Sequence, residues 1–212
     1  MTKTGFDISA LVDDLRPVQP VRTVPALLLA AMISLVGIAA ISLLRDFRVD
    51  LLAGQPTAMF LMRAGILAML GGATAYSVLA MAKPSVGKQN SGWIVAVAFA
   101  ALFPLGGIIA LMTGDDTLST ASTASVYRCF GFSSITALAT AIPIVLALRR
   151  GAPTNAKRAG WLTGLAAGGM GAFAYSFFCP FDSLAYTGLW FTLAVGIASL
   201  AGRIIVPPMI RW

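Results

Sequence analysis

Two cysteines carry the most reactive chemistry in this sequence. Cys129 lies in the stretch VYRCFGF, and Cys179 lies in SFFCPFDSL, fifty residues further along the chain. Such thiols can form a disulfide, bind a thiophilic ion, or fill space in a core as small apolar residues do. The chain has no histidine, and two thiolates are too few for a closed zinc site, which normally has four ligands.

A charged residue accompanies each cysteine. Arg128 directly precedes Cys129, and Asp182 follows Cys179 by three positions. If the two stretches meet in the fold, Arg128 and Asp182 can form an ion pair, and the arginine would favour the thiolate form of its neighbour. The alternative is that both charges are simply solvated.

The remaining residues give little support for catalysis. The chain has eight carboxylates, all of them aspartates, and none lies within a long apolar run. Paired carboxylates, a glycine-rich phosphate loop and a nucleophile elbow are all missing. The sequence therefore predicts a protein that is not an enzyme and binds no cofactor. Two functions of other classes stay open: that of a small membrane carrier or channel, and that of a thiol oxidoreductase that passes electrons to quinone.

The composition indicates a membrane protein. Of the 212 residues, 58% are hydrophobic and 11% are charged, whereas about a quarter of a soluble domain is charged. Runs long enough to cross a bilayer as helices recur at about 24–44, 59–81, 92–112, 130–148, 160–178 and 188–206. The predicted fold is all-α: a polytopic bundle of six transmembrane helices. Pro104 is expected to interrupt the third run.

The basic residues predict an orientation. With six spans, eleven Lys and Arg residues fall on the side of the termini and four on the other: Arg45, Arg48, Arg63 and Arg128. The positive-inside rule makes the termini cytoplasmic and places both cysteines at the outer side, which is oxidising in bacteria. The net charge of +7 then reflects topology and contact with anionic lipid rather than nucleic acid binding. Arg63 is close enough to the outer end of its span to snorkel.

Small residues recur every fourth position along the fifth span. Such a stripe allows close contact between helices. Packing within the bundle is favoured over a hinge or a dimer interface. The stripe consists of Gly160, Gly164, Gly168, Ala172 and Ser176.

The segment before the first span predicts a short amphipathic helix. The chain divides into a cytoplasmic leader (1–23), the bundle (24–206) and a cytoplasmic tail (207–212). Asp7 can cap the leader helix, apolar residues recur at helical spacing, and Pro17 ends it. An apolar ridge with an acidic flank suits a groove on a basic protein. The alternative is a frayed leader without a partner. The residues concerned are Ile8, Leu11, Val12, Asp13, Asp14, Leu15, Arg16 and Pro17.

Three stretches resemble a known family, the NrsF-like anti-sigma factors of bacterial inner membranes. They are LVDDLRPVQPVR before the first span, LRRGAPTNAKRAGWLTGLAAGGMGAFAYSFFCPFDS across the fifth, and GLWFTLAVGIASLAGRIIVPPMIRW at the end. With the six spans, the resemblance covers nearly the whole chain. In one departure, Phe178 stands where relatives often carry a His beside the second cysteine, which favours thiol–disulfide chemistry over metal coordination.

The resemblance implies a function. The leader would hold an extracytoplasmic-function (ECF) sigma factor at the membrane, with Asp13, Asp14, Leu15, Arg16 and Pro17 matching the leader motif. A redox or thiophilic-metal signal on the outer side would release it. Cys129 and Cys179 match the family's outer-side cysteines and are the candidate sensing residues and metal ligands. The oligomeric state does not follow from the sequence.

Overall fold

The described part of the chain is all-helical, as predicted. A computed structural model describes residues 23–82, 92–114, 123–151, 153 and 155–210. Inside the last helix, Thr187–Phe191 form a π-helical turn. The helices are α1 (Thr23–Ser42), α2 (Val49–Leu52), α3 (Ala58–Met81), α4 (Gly92–Met112), α5 (Thr123–Arg149), α6 (Ala156–Ser176) and α7 (Leu184–Met209).

Two predictions concern the ends of the chain. The leader helix and its proposed contact residues, Ile8 to Pro17, lie outside the described residues. At the other end, α7 continues past the predicted limit of 206 and reaches Met209, with Pro207 and Pro208 in its last turn.

Four of the described helices, α1, α3, α5 and α7, are long and apolar enough to cross a membrane. They coincide with the first, second, fourth and sixth predicted spans. The other two predicted spans are also helical. Helix α4 has 21 residues and contains no charged side chain, and α6 is rich in Ala and Gly. Pro104 lies inside α4 instead of interrupting it, which helices in membranes tolerate.

Helix α6 occupies the centre of the bundle. It packs against α1, α3, α5 and α7, and 15 of its 21 residues are buried. Because other helices surround α6, it needs small residues that admit their backbones more than it needs large apolar ones. This explains why the innermost helix is less apolar than the helices around it.

The small-residue stripe of α6 packs against α7 of the same chain. A methyl group added at Gly164 would lie 2.3 Å from the carbonyl oxygen of Ala198, and one at Gly160 would lie 2.6 Å from that of Gly202. Ala172 is fully buried further along the helix. The stripe therefore serves contact within the bundle.

Other glycines of α6 face its remaining neighbours. A methyl group at Gly171 would lie 2.2 Å from the carbonyl oxygen of Ser133 in α5, and one at Gly169 would lie 2.9 Å from the backbone of Gly71 in α3. Three helices thus approach the backbone of α6 closely, from different sides.

We expect Gly164→Ala to destabilise the bundle, because the new methyl group would force α6 and α7 apart, at a cost of about 1–3 kcal/mol. The matched control is Gly65→Ala on α3, where nothing lies within 4 Å of an added methyl. This control should be neutral or stabilising, because Ala is the better helix former. Thermal unfolding in detergent measures both, and equal effects of the two variants would contradict the contact.

Candidate functional site

The structure brings the two cysteines together at one end of the bundle, here called the thiol end. Cys129 lies near the start of α5, and Cys179 lies in the connection between α6 and α7. Both belong to the same core cluster. Tyr175 and Tyr186 are members of that cluster too. Consecutive antiparallel helices, α5 and α6, account for the meeting.

Both cysteines are free thiols and fully buried. The Cys179 thiol donates a weak hydrogen bond to the carbonyl oxygen of Phe181, at 3.9 Å. Burial raises the pKa of Cys179, although the positive charges of Arg63 and Arg48 oppose the rise. The neutral thiol is a poor nucleophile and a poor ligand, so the site as it stands protects Cys179 from reagents.

A closed metal site would need more ligands than this region supplies. Among the described residues, no group of three or more His, Cys, Asp and Glu side chains could hold a metal ion. Phe178, beside the second cysteine, packs its ring 4.7 Å from that of Phe47. Among the described residues, the two cysteines would therefore not complete a closed site by themselves.

Arg48, in the connection between α1 and α2, organises the charges of the thiol end. Its side chain is 7% exposed. It donates two hydrogen bonds of 2.6 Å to the Asp182 carboxylate and two of 2.9 Å to Asp50. It also donates one of 2.9 Å to the carbonyl oxygen of Cys179. Paired forks of this kind combine strength with a fixed geometry.

The partners of Arg48 respond electrostatically. Hydrogen bonds to Arg48 hold the pKa of Asp182 and of Asp50 below its usual value, and those to Asp182 and Asp50 raise the pKa of Arg48. Thr57, whose side chain caps α3, donates a further hydrogen bond of 2.9 Å to Asp182. The network therefore joins the start of α3 to the segment that carries Cys179.

Arg63 does not snorkel as the sequence suggested, because its side chain points into the bundle and is 1% exposed. It donates hydrogen bonds of 2.7 Å to the carbonyl oxygen of Phe181 and 3.1 Å to that of Ser176. Its guanidinium also lies 5.5 Å from the ring centroid of Phe191. Backbone carbonyls, an aromatic face and the carboxylate of Asp182 at 3.9 Å thus compensate for part of its loss of water, while its buried Nε has no hydrogen-bond partner among the described residues.

Arg128 and Asp182 do not form the ion pair that the sequence left open as one of two alternatives. Arg128 is exposed, whereas the carboxylate of Asp182 is bound by Arg48 and lies near Arg63. Cys129 faces the core while its neighbour Arg128 faces outward, so the cation near the thiols is Arg63 instead. The sequence did not reveal that Arg48 binds Asp182 or that Arg63 lies near the thiols. Arg48 and Asp182 are 134 positions apart and share no local pattern.

We expect the thiol end to lose stability in acid. Because the folded pKa of Asp182 is lowered, its contribution is complete above the unfolded pKa of about 4 and disappears as the pH falls below it. Asp182→Asn should cost about 1–3 kcal/mol at neutral pH and flatten the decline that begins below about pH 4.

Thermal unfolding in detergent at several pH values measures this effect. The matched control is Asp46→Asn, which changes an exposed carboxylate near the same end of α1. Identical pH profiles for Asp182→Asn and the unmodified chain would contradict the assigned network.

Comparisons with known proteins agree with the resemblance found in the sequence. The family model NrsF, negative regulator of sigma F, matches residues 11–212. The anti-sigma-F factor NrsF of Caulobacter vibrioides (strain NA1000 / CB15N) is 29% identical over 195 residues, which cover 87% of this chain and 88% of the relative.

A second relative is more distant. The probable anti-sigma-F factor NrsF of Azospira oryzae (strain ATCC BAA-33 / DSM 13638 / PS) is 24% identical over 158 residues, 73% of each chain. No solved structure matches the chain significantly. Because the family match extends over nearly all of the sequence, the chain belongs to the NrsF family of negative regulators of sigma F.

Proposed function

We propose that this protein is a membrane-bound anti-sigma factor that holds an ECF sigma factor through its cytoplasmic leader. A redox or thiophilic-metal signal at Cys129 and Cys179 would release the sigma factor. The family and the names of both relatives support the anti-sigma role. That role is regulatory and requires no catalytic group.

The proposed partner is the sigma factor itself, on the cytoplasmic side. The spacing of Ile8, Leu11, Val12 and Leu15 in the leader, residues 1–23, predicts an apolar ridge beside Asp13 and Asp14. A short helix of this kind gains stability by docking into a groove and has little alone in water. Assignment of the partner to the ECF class rests on the sequence resemblance.

Six spans and cytoplasmic termini are part of the proposal. Four described helices are apolar and long enough to cross a bilayer, and α4 and α6 occupy the places of the other two. The basic residues on the side of the termini support this orientation in a bacterial inner membrane. The thiol end then faces the periplasm, which is oxidising.

The single observation that carries the sensing role is the meeting of the two thiols in the buried core at the thiol end. Oxidation would join the sulfur atoms of Cys129 and Cys179 in a disulfide, with two protons and two electrons passing to a two-electron oxidant. Alternatively, a thiophilic divalent cation would bind both sulfur atoms and displace both protons. Since both side chains are fully buried, either event requires local opening of the packing around Cys179.

We expect the leader to be necessary for capture of the sigma factor. The detergent-solubilised protein should co-purify a sigma factor from its native cells, and a chain lacking residues 1–23 should lose it. Full-length Asp13→Lys/Asp14→Lys should weaken recovery strongly if the acidic face makes contact. The control is equal abundance of all chains in the membrane. Recovery of a sigma factor with the truncated chain would contradict the role of the leader.

We expect the cysteines to be needed for release and dispensable for capture. Cys129→Ala and Cys179→Ala should each keep the co-purified sigma factor after treatment of cells with diamide or Cd²⁺, whereas the unmodified chain should lose most of it. Alanine leaves no buried polar group at either site. Unchanged release from the double variant Cys129→Ala/Cys179→Ala would refute sensing by this pair. It would leave the proposed capture by the leader unaffected.

A further inference from the structure

The segment that carries Cys179 has an unusual means of support. This Cys179 segment, Phe177–Ser183, connects α6 to α7 and lies between two helices without belonging to either. Pro180 within it is exposed, whereas Cys179 beside it is fully buried. The buried thiol is therefore the direct neighbour of a residue at the surface.

Two arginines from other parts of the chain hold the Cys179 segment on both sides of the cysteine. Arg63, on α3, binds the carbonyl oxygens of Ser176 and Phe181, at 3.1 and 2.7 Å. Arg48 binds the carbonyl oxygen of Cys179 at 2.9 Å and both carboxylate oxygens of Asp182 at 2.6 Å. Five acceptors thus receive hydrogen bonds from two side chains, and Thr57 donates one more to Asp182.

These bonds replace the backbone pairing that a helix or sheet would supply. Carbonyl oxygens withdrawn from water need donors, and an arginine fork can serve two acceptors at a fixed separation. Lysine is a poor substitute, because its ammonium group is a single point of charge on a flexible stem. The side chain of Arg63 is 1% exposed, so its two bonds are shielded from competing water.

We infer that Arg48 and Arg63 are positioning residues for Cys179, which keep its sulfur atom buried beside Cys129 until the segment is released. The inference rests on the proposed sensing role, because it concerns access to one of the two sensing thiols. The hydrogen bonds of the two arginines then set the free-energy barrier to opening of the segment, which a reagent must overcome before it reaches the Cys179 thiol. This role also explains why charges are retained within an apolar bundle.

The direct test is the rate at which N-ethylmaleimide labels Cys179 in purified Cys129→Ala protein. We expect Arg63→Gln and Arg48→Gln each to raise this rate about tenfold or more, because opening of the segment becomes easier. Arg63→Lys should raise the labelling rate as Arg63→Gln does, although lysine keeps the positive charge. The matched control is Arg45→Gln, which changes an exposed arginine at the same end and should leave the rate unchanged.

A second cysteine separates positioning from general loosening. In a Cys179→Ala background, labelling of Cys129 should rise much less with the same arginine variants, because Cys129 is held by the backbone of helix α5 and the hydrogen bonds of the two arginines go to Ser176–Asp182 instead. An equal rise at both cysteines would overturn the inference in favour of a general structural role. No rise at Cys179 would overturn it as well.

If the Arg63 variants fail to accumulate, Asp182→Asn provides the same test, since it removes the fork to Arg48 and spares the bonds of Arg63. Labelling is measured without a sigma factor, so its outcome is independent of capture. In cells, the arginine variants should release the sigma factor at a lower dose of diamide. Faster labelling without easier release would leave the positioning role standing and count against the proposed sensing function.

Discussion

The bundle depends on the close approach of three helices to the backbone of α6. At Gly164, Gly169 and Gly171 an added methyl group would collide with α7, α3 and α5, respectively. Without a hydrophobic force between helices in lipid, such close contact supplies much of the energy that holds a membrane bundle together. The position of α6 fixes where it ends, and its end at Ser176 determines where the Cys179 segment begins.

The charges at the thiol end follow from this arrangement. Pro180 disfavours continuation of the helix after Ser176, because it lacks a backbone donor and restricts the preceding residue. The carbonyl groups of the Cys179 segment are left among aromatic rings and helix ends, where water is scarce. Arg48 and Arg63 supply the missing donors, and Asp182 and Asp50 balance their charge. Core packing and buried ion pairs are therefore linked in one local structure that surrounds the two thiols.

The sequence predicts the helices better than it predicts their partners. Long apolar runs locate every long helix, and the four-residue spacing of Gly160, Gly164 and Gly168 locates the contact face of α6. Proximity of Cys129 and Cys179 follows from two consecutive antiparallel helices. The rotation of α3 does not follow, because that helix is apolar on all sides and its periodicity does not reveal which face is buried. For the same reason, Arg63 was expected at the surface and lies inside the bundle.

The π-helical turn at Thr187–Phe191 divides α7 into two parts whose side chains point in different directions around the helix axis. A π-turn contains one residue more than an α-turn, so the residues after it are rotated by about 100° relative to an uninterrupted α-helix. This rotation allows Phe191 to face Arg63 while Ala198 and Gly202, further along, face the stripe of α6. Loss of that single inserted residue would turn one of these two faces away from its partner. One extra residue in α7 thus sets the rotation that lets this helix contact both Arg63 at the thiol end and the glycines of α6.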